Sequence, residues 1–167
     1  MYRRPAEVLR RKLAREESEP RALAYLMGAC GFMFVAQLPT VARQVSLSDP
    51  ARWAAEPAAY NAALQPALGG ALLATMIFWP LILYALAAVI HLLLRLARRR
   101  VTGYDVRLSL FWGLLSAVPL ALLGGLTGGF VGSGVALTLV GVLWLMAVLW
   151  FVSTGVREAH RMAGEPK

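Results

Sequence analysis

Charged positions in this chain fall in short clusters, and three stretches between them contain no Asp, Glu, Lys or Arg: residues 22–42 (21 residues), 57–94 (38) and 108–156 (49). A bilayer's hydrocarbon core is about 30 Å thick, so about 20 apolar residues rising 1.5 Å each cross it as a helix. The first stretch holds one crossing. The second is apolar mainly from Ala67, because Pro57, Tyr60, Asn61, Gln65 and Pro66 are too polar or helix-averse for the bilayer centre, so it also holds one, long or tilted. A continuous helix through the third would measure about 70 Å, more than twice the bilayer, so the chain must double back. Six glycines between Gly124 and Gly134 mark the place, since glycine weakens a helix through its backbone entropy. The pattern predicts an all-α polytopic helix bundle with four transmembrane helices at about 22–42, 67–94, 108–126 and 135–155.

Composition supports that reading. Hydrophobic residues make up 59% of the chain, charged residues 16%, and mean hydropathy is +0.61. A soluble domain of this size has too much surface to bury such helices on every side. One membrane domain, residues 22–156, accounts for most of the chain, with a basic leader at 1–21 and a tail at 157–167.

The 17 basic residues alternate between segments: seven precede the first helix, two lie in the first loop, five in the second, none in the glycine turn and three in the tail. By the positive-inside rule the N-terminus, second loop and C-terminus are cytoplasmic, which suits a bacterial cytoplasmic (inner) membrane. The net charge of +8 is therefore a topology signal. It does not imply nucleic-acid binding, because no aromatic-interleaved basic patch accompanies the arginines.

Two basic clusters are candidate contacts for anionic headgroups or a partner. In the leader, Pro5 can occupy a first helical turn and Ala6, Leu9 and Leu13 share a face, with Arg10, Arg11 and Lys12 around the rest. This describes either an amphipathic helix on the inner leaflet or a solvated leader that only sets topology. In the second loop, Arg98, Arg99 and Arg100 follow a span, where such residues commonly snorkel. The 21 mostly charged residues before the first apolar run are unlike a cleaved signal peptide. Met27-Gly28-Ala29-Cys30 only loosely matches a lipidation box, and the lone Cys30 reads as a buried thiol.

Within the spans the polar residues are Gln37, Thr75, Tyr84, His91, Ser116 and Thr138, and none is charged. That counts against a pump, a proton-coupled transporter or an intramembrane hydrolase. His91, four residues before Arg95, reads as interfacial packing. Pro80 and Pro119 predict kinks. Trp112 and Trp150 fit an aromatic belt, whereas Trp144 packs against a neighbour. Gly124, Gly128 and Gly132 repeat at four-residue spacing, as do Gly125 and Gly129, and would form a close-packing seam if helical; as a turn they would not. The outer segment 43–66 breaks at Asp49-Pro50 and could carry a short surface helix. No metal-ligand cluster, phosphate-binding glycine loop, nucleophile elbow or HExxH is present, so no catalytic, cofactor or metal residue is assigned and no enzyme is expected.

Pro5 followed by Val8-Leu9-Arg10-Arg11, the long span ending in His91 and an arginine cluster, and Gly103-Tyr104 ahead of a span carrying Pro119 together resemble bacterial members of the Yip1 family. Relatives in that family are multi-pass proteins, commonly described with five spans where the pattern here yields four. Eukaryotic ones contact small Rab-type GTPases in vesicle traffic. The resemblance implies a non-enzymatic membrane protein that organises protein partners or lipids through its basic face, and carries no catalytic residue with it. Two other readings are an accessory subunit of a larger membrane complex and a small oligomeric transporter or channel.

Reporter fusions at Glu56 and Ser133 should read as outside, and fusions at Arg100 and Lys167 as inside. An outside reading at Lys167 would contradict an even number of crossings.

Overall fold

The computed structural model describes residues 19–97 and 101–162, and all regular structure within them is helical. Helix α1 spans Glu19–Ser48, and the short α2 spans Pro50–Ala55. Helix α3, Pro57–Leu73, runs through a π-helical turn at Ala74–Phe78 into α4, Trp79–Leu96. Helix α5, Gly103–Ser116, meets α6, Val118–Leu126, at a bend of 44°, and a second π turn at Thr127–Val131 extends α6. Helix α7 spans Val135–Met162.

Three of these units are long and apolar enough to cross a membrane: Glu19–Ser48, Pro57–Leu96 and Val135–Met162. The bent pair Gly103–Ser116 and Val118–Val131 makes a fourth if it counts as one crossing. The architecture is compatible with a multi-pass membrane protein. Leu81, Ile82, Leu86 and Val89 on α4, and Leu139, Leu145, Leu149 and Trp150 on α7, are exposed. Such apolar outer faces suit lipid.

Helix α5 lies at the centre. Ten of its fourteen residues are buried, all the way round the helix, because α1, α4 and α7 each cover one side of it. Tyr84 of α4 meets Phe111 edge-on at 5.0 Å, and Trp112 meets Phe151 of α7 at 5.8 Å. Leu26 and Cys30 of α1 join the same core. Trp112 is only 1% exposed, so it is a core residue and not the belt residue its position near a span end suggests. The helix starts where Thr102 and Asp105 form a reciprocal capping box, with the Asp105 amide donating to Thr102 Oγ1 at 3.2 Å and the Thr102 amide donating to Asp105 Oδ2 at 3.1 Å. It ends where Pro119, in the first turn of α6, has no N–H with which to continue the ladder.

Contacts along the helices establish direction. Glu19 pairs with Arg107 and Ala36 lies against Gly125, so α1 runs parallel to α5 and α6. Thr75 meets Gln37, and a Cβ at Gly113 would lie 3.2 Å from Val152, so α3–α4 and α7 run the opposite way. Among the described residues, Arg21, Arg95, Arg107, Arg157 and Arg161 therefore lie at one end of the bundle.

At two places the chain differs from expectation. The glycine-rich segment is not a turn from Gly124 onward: helix persists through Val131, and only residues 132–134 reverse the chain. The physical reason is close packing against α1. A Cβ at Gly125 would overlap the Ala36 carbonyl oxygen and lie 2.6 Å from its carbonyl carbon, one at Gly128 would lie 2.7 Å from Thr40 Oγ1, and one at Gly129 would overlap Pro39 Cβ. Backbones this close gain dispersion contacts that offset glycine's poor helix propensity. Gly124 points instead to α7, 3.6 Å from Val140, while Gly132 adopts φ of 94° at the reversal. The second difference is α3, which is helical from Pro57 and passes through Pro66, so the outer segment holds the short α2 and the first turns of a longer helix. Trp53 and Tyr60 fold this region onto the end of α1: Trp53 Nε1 donates to the Val45 carbonyl at 2.9 Å and Tyr60 to the Ala42 carbonyl at 3.4 Å.

Replacing Gly125 or Gly129 by alanine should lower stability by about 1–3 kcal/mol each through overpacking. Gly69→Ala and Gly70→Ala, where an added Cβ meets nothing within 4 Å, should be neutral to within about 1 kcal/mol. Thermal unfolding of the detergent-solubilised protein distinguishes these, and equal effects at all four sites would contradict the seam.

Candidate functional site

Polar groups concentrate at three levels of the bundle: its basic end, its opposite end, and one buried pair between them.

At the basic end, the first turns of α1 and α5 meet the last turns of α4 and α7. Arg107 of α5 forms an ion pair with Glu19 of α1, with side-chain exposures of 31% and 57%. An ion pair so open to solvent adds at most about 1 kcal/mol. Glu158 of α7 is buried, and Arg161 approaches it at 3.9 Å. Around these groups, several buried polar atoms have no hydrogen-bond partner: Arg21 Nη1, Arg107 Nε, His160 Nδ1, His91 Nδ1, Tyr104 Oη and Ser109 Oγ. The two guanidinium nitrogens can only donate, so among the described residues two buried donors of this end have no acceptor. His91 packs its ring over the start of α5, 3.8 Å from where a Gly103 Cβ would be. Arg95, Arg157 and Arg161 belong to the same end by position. The sequence candidates Arg10, Arg11, Lys12, Arg98, Arg99 and Arg100 lie outside the described residues.

At the opposite end, Arg43 is already engaged. Its Nη1 donates to the carbonyls of Gly129 and Phe130, 3.2 Å each, at the C-terminal end of the α6 segment. Unpaired carbonyls and the negative end of the helix dipole both favour a cation there. The arginine also lies beside Gly132, where a side chain would collide with the guanidinium at 2.8 Å. Asp49 caps α2 by accepting from the Arg52 amide at 3.3 Å.

Between the ends, the partly buried Gln37 of α1 and the buried Thr75 of the first π turn form a polar pair. Gln37 Nε2 donates to Thr75 Oγ1 at 2.9 Å and lies 3.4 Å from the Met33 carbonyl, while Thr75 Oγ1 donates to the Ala71 carbonyl at 2.7 Å. Thr75 is completely buried. Pro80 explains why a π turn sits here: lacking an N–H, it leaves a carbonyl of the preceding turn unbonded, and the widened turn, in which the Trp79 amide bonds back to the Ala74 carbonyl, absorbs the mismatch. Single-residue inspection identifies Gln37 and Thr75 as polar residues in spans, but nothing in their separation of 38 positions marks them as partners.

Among the described residues, no group of three or more His, Cys, Asp or Glu could hold a metal ion. Cys30 is buried in the core as a free thiol. The chain matches no family model, no curated protein and no solved structure.

Thr75→Val removes the acceptor for the Gln37 amide and should cost about 1–2 kcal/mol, within the range measured for hydrogen bonds between membrane helices. Thr75→Ser should recover most of it. If valine and serine variants unfold at the same temperature, the bond contributes nothing.

Proposed function

We propose that the chain is a non-enzymatic integral membrane protein of Yip1-like type that organises anionic lipids or protein partners through its basic end, on the cytoplasmic face of a bacterial inner membrane. The observation that carries this reading is a pair of unsatisfied donors: among the described residues Arg21 Nη1 and Arg107 Nε are buried without partners, on neighbouring helices. A lipid phosphate supplies several acceptor oxygens and a negative charge at the depth where a helix enters the interface. The sequence resemblance to the Yip1 family points the same way, towards membrane organisation without catalysis. Uncharged spans argue against charge-coupled transport as the main activity. In a larger membrane complex, acidic side chains of a partner would fill the same acceptor positions.

The detergent-solubilised protein should retain phosphatidylglycerol in preference to phosphatidylcholine, as read by native mass spectrometry. Arg21→Gln and Arg107→Gln should each reduce retention about fivefold, since each basic residue near an anionic surface contributes about 1 kcal/mol. Replacing Arg98, Arg99 and Arg100 together by glutamine should reduce it further, whereas Glu19→Gln should not weaken it. Equal retention of the two lipids by the unmodified protein would refute a lipid role for this end.

A further inference from the structure

A groove of about 380 Å³ runs beside the Gln37–Thr75 pair, between α1, the start of α4, α6 and α7. Its lining is almost wholly apolar and includes Met33, Trp79, Leu120, Val140 and Trp144, with Gln37 at one side. That volume is in the range of pockets for small organic ligands, roughly 300–1,000 Å³. The hollow exists because small residues line it: a Cβ added at Gly141 would meet nothing within 4 Å, and one at Gly124 reaches Val140 only at 3.6 Å.

The orientation of the Gln37 amide is determined by its neighbours. The single hydroxyl hydrogen of Thr75 is committed to the Ala71 carbonyl, so Thr75 Oγ1 can only accept from Gln37. The other near neighbour, the Met33 carbonyl, is also an acceptor. Both require the amide nitrogen on that side, so Oε1 points the other way. Among the described residues no donor bonds it and it is not fully buried, and Gln37 is part of the groove's lining. An amide oxygen facing hydrocarbon without a donor costs several kcal/mol.

We propose that the groove binds a neutral lipid alcohol of the acylglycerol kind, its free hydroxyl donating to Gln37 Oε1 and its chain lying along Leu120, Val140 and Trp144. Three features select that chemistry. The groove offers an acceptor, so the ligand must donate. No free cation accompanies it, because the nearest, Arg43, is held by the Gly129 and Phe130 carbonyls, so a phosphate has no partner here. Thr40, which also lines the groove, commits its hydroxyl hydrogen to the Gly125 carbonyl, whereas a long-chain alcohol satisfies both the Gln37 oxygen and the apolar walls. Depth agrees as well. Gln37 lies six residues before Arg43, about 9 Å along the helix, where the hydroxyl of a glycerolipid can sit below the interface. This site lies between the ends of the bundle, away from the basic cluster, and is independent of it.

The test is photolabelling of the intact protein in nanodiscs with a diazirine-bearing diacylglycerol and with its methyl ether, which has the same chain but no donor. Labelling should fall on the α1 segment around Met33 to Thr40 and on α7 around Leu137 to Trp144, with the alcohol favoured about five- to tenfold, the value of one hydrogen bond. Gln37→Leu should erase the preference while chain labelling remains, and Gly141→Leu should fill the groove and reduce labelling by both probes. The Arg21 and Arg107 variants should leave it unchanged. Equal labelling by alcohol and ether in the unmodified protein would overturn the proposal, as would label spread evenly over the outer leucines of α4. A crosslinked dimer joined through α7 would assign the groove to a second copy instead.

Discussion

The contact on which the rest of the bundle depends is the close approach of the α1 and α6 backbones, Ala36 against Gly125 and Pro39 against Gly129, where not even a methyl group fits. In a bilayer, hydrocarbon tails solvate leucine as well as another helix does, so helix association relies on packing and interhelical hydrogen bonds. This seam provides both. Thr40 donates to the Gly125 carbonyl at 3.3 Å, and Arg43 closes the end of the segment through two carbonyls. With α1 and α6 locked in parallel, the bend at Pro119 directs α5 into the centre of the bundle.

From that arrangement the remaining features follow. A central α5 has no lipid-facing side, which explains why it buries Ser109 and Ser116 together with Phe111 and Trp112. The outer helices α4 and α7 need only one packed stripe each and expose leucines elsewhere. The two π turns occur where regular helix is interrupted, one before Pro80 and one before the reversal at Gly132. The first places Thr75 against Gln37. The groove lies where α1, α4, α6 and α7 do not fully close, because Gly124 and Gly141 bring no side chains to fill the space.

Polar chemistry is thus divided by depth. Among the described residues, two buried guanidinium donors without acceptors lie at the basic end. A single acceptor without a donor sits deeper, in an apolar groove. At the far end the arginine has its partners within the fold. The ligands proposed for the two sites differ accordingly in hydrogen-bonding character, anionic at one and hydroxylic at the other.

Much was legible in the residues themselves. Helical class, the apolar lengths that can cross a bilayer, the segregation of basic residues and the kink at Pro119 all rest on local properties: hydropathy, charge and the missing proline N–H. Other features required the tertiary structure. Glycine weakens an isolated helix, so the segment from Gly124 to Val131 reads locally as a turn; only the surface of α1 supplies the contacts that keep it helical. That surface also sets the register, choosing Gly125, Gly128 and Gly129 to face α1 and leaving Gly124 for α7. Likewise Trp112 looks like an interface residue until three helices enclose it. Gln37 and Thr75 are unremarkable polar positions until antiparallel packing brings them within 2.9 Å. Hydropathy and charge act on each residue wherever it stands, so the sequence determined the helical class and the apolar lengths compatible with a multi-pass membrane protein. Contact between distant segments depends on the path of the backbone, so only the tertiary structure decided the seam, the polar pair and the groove.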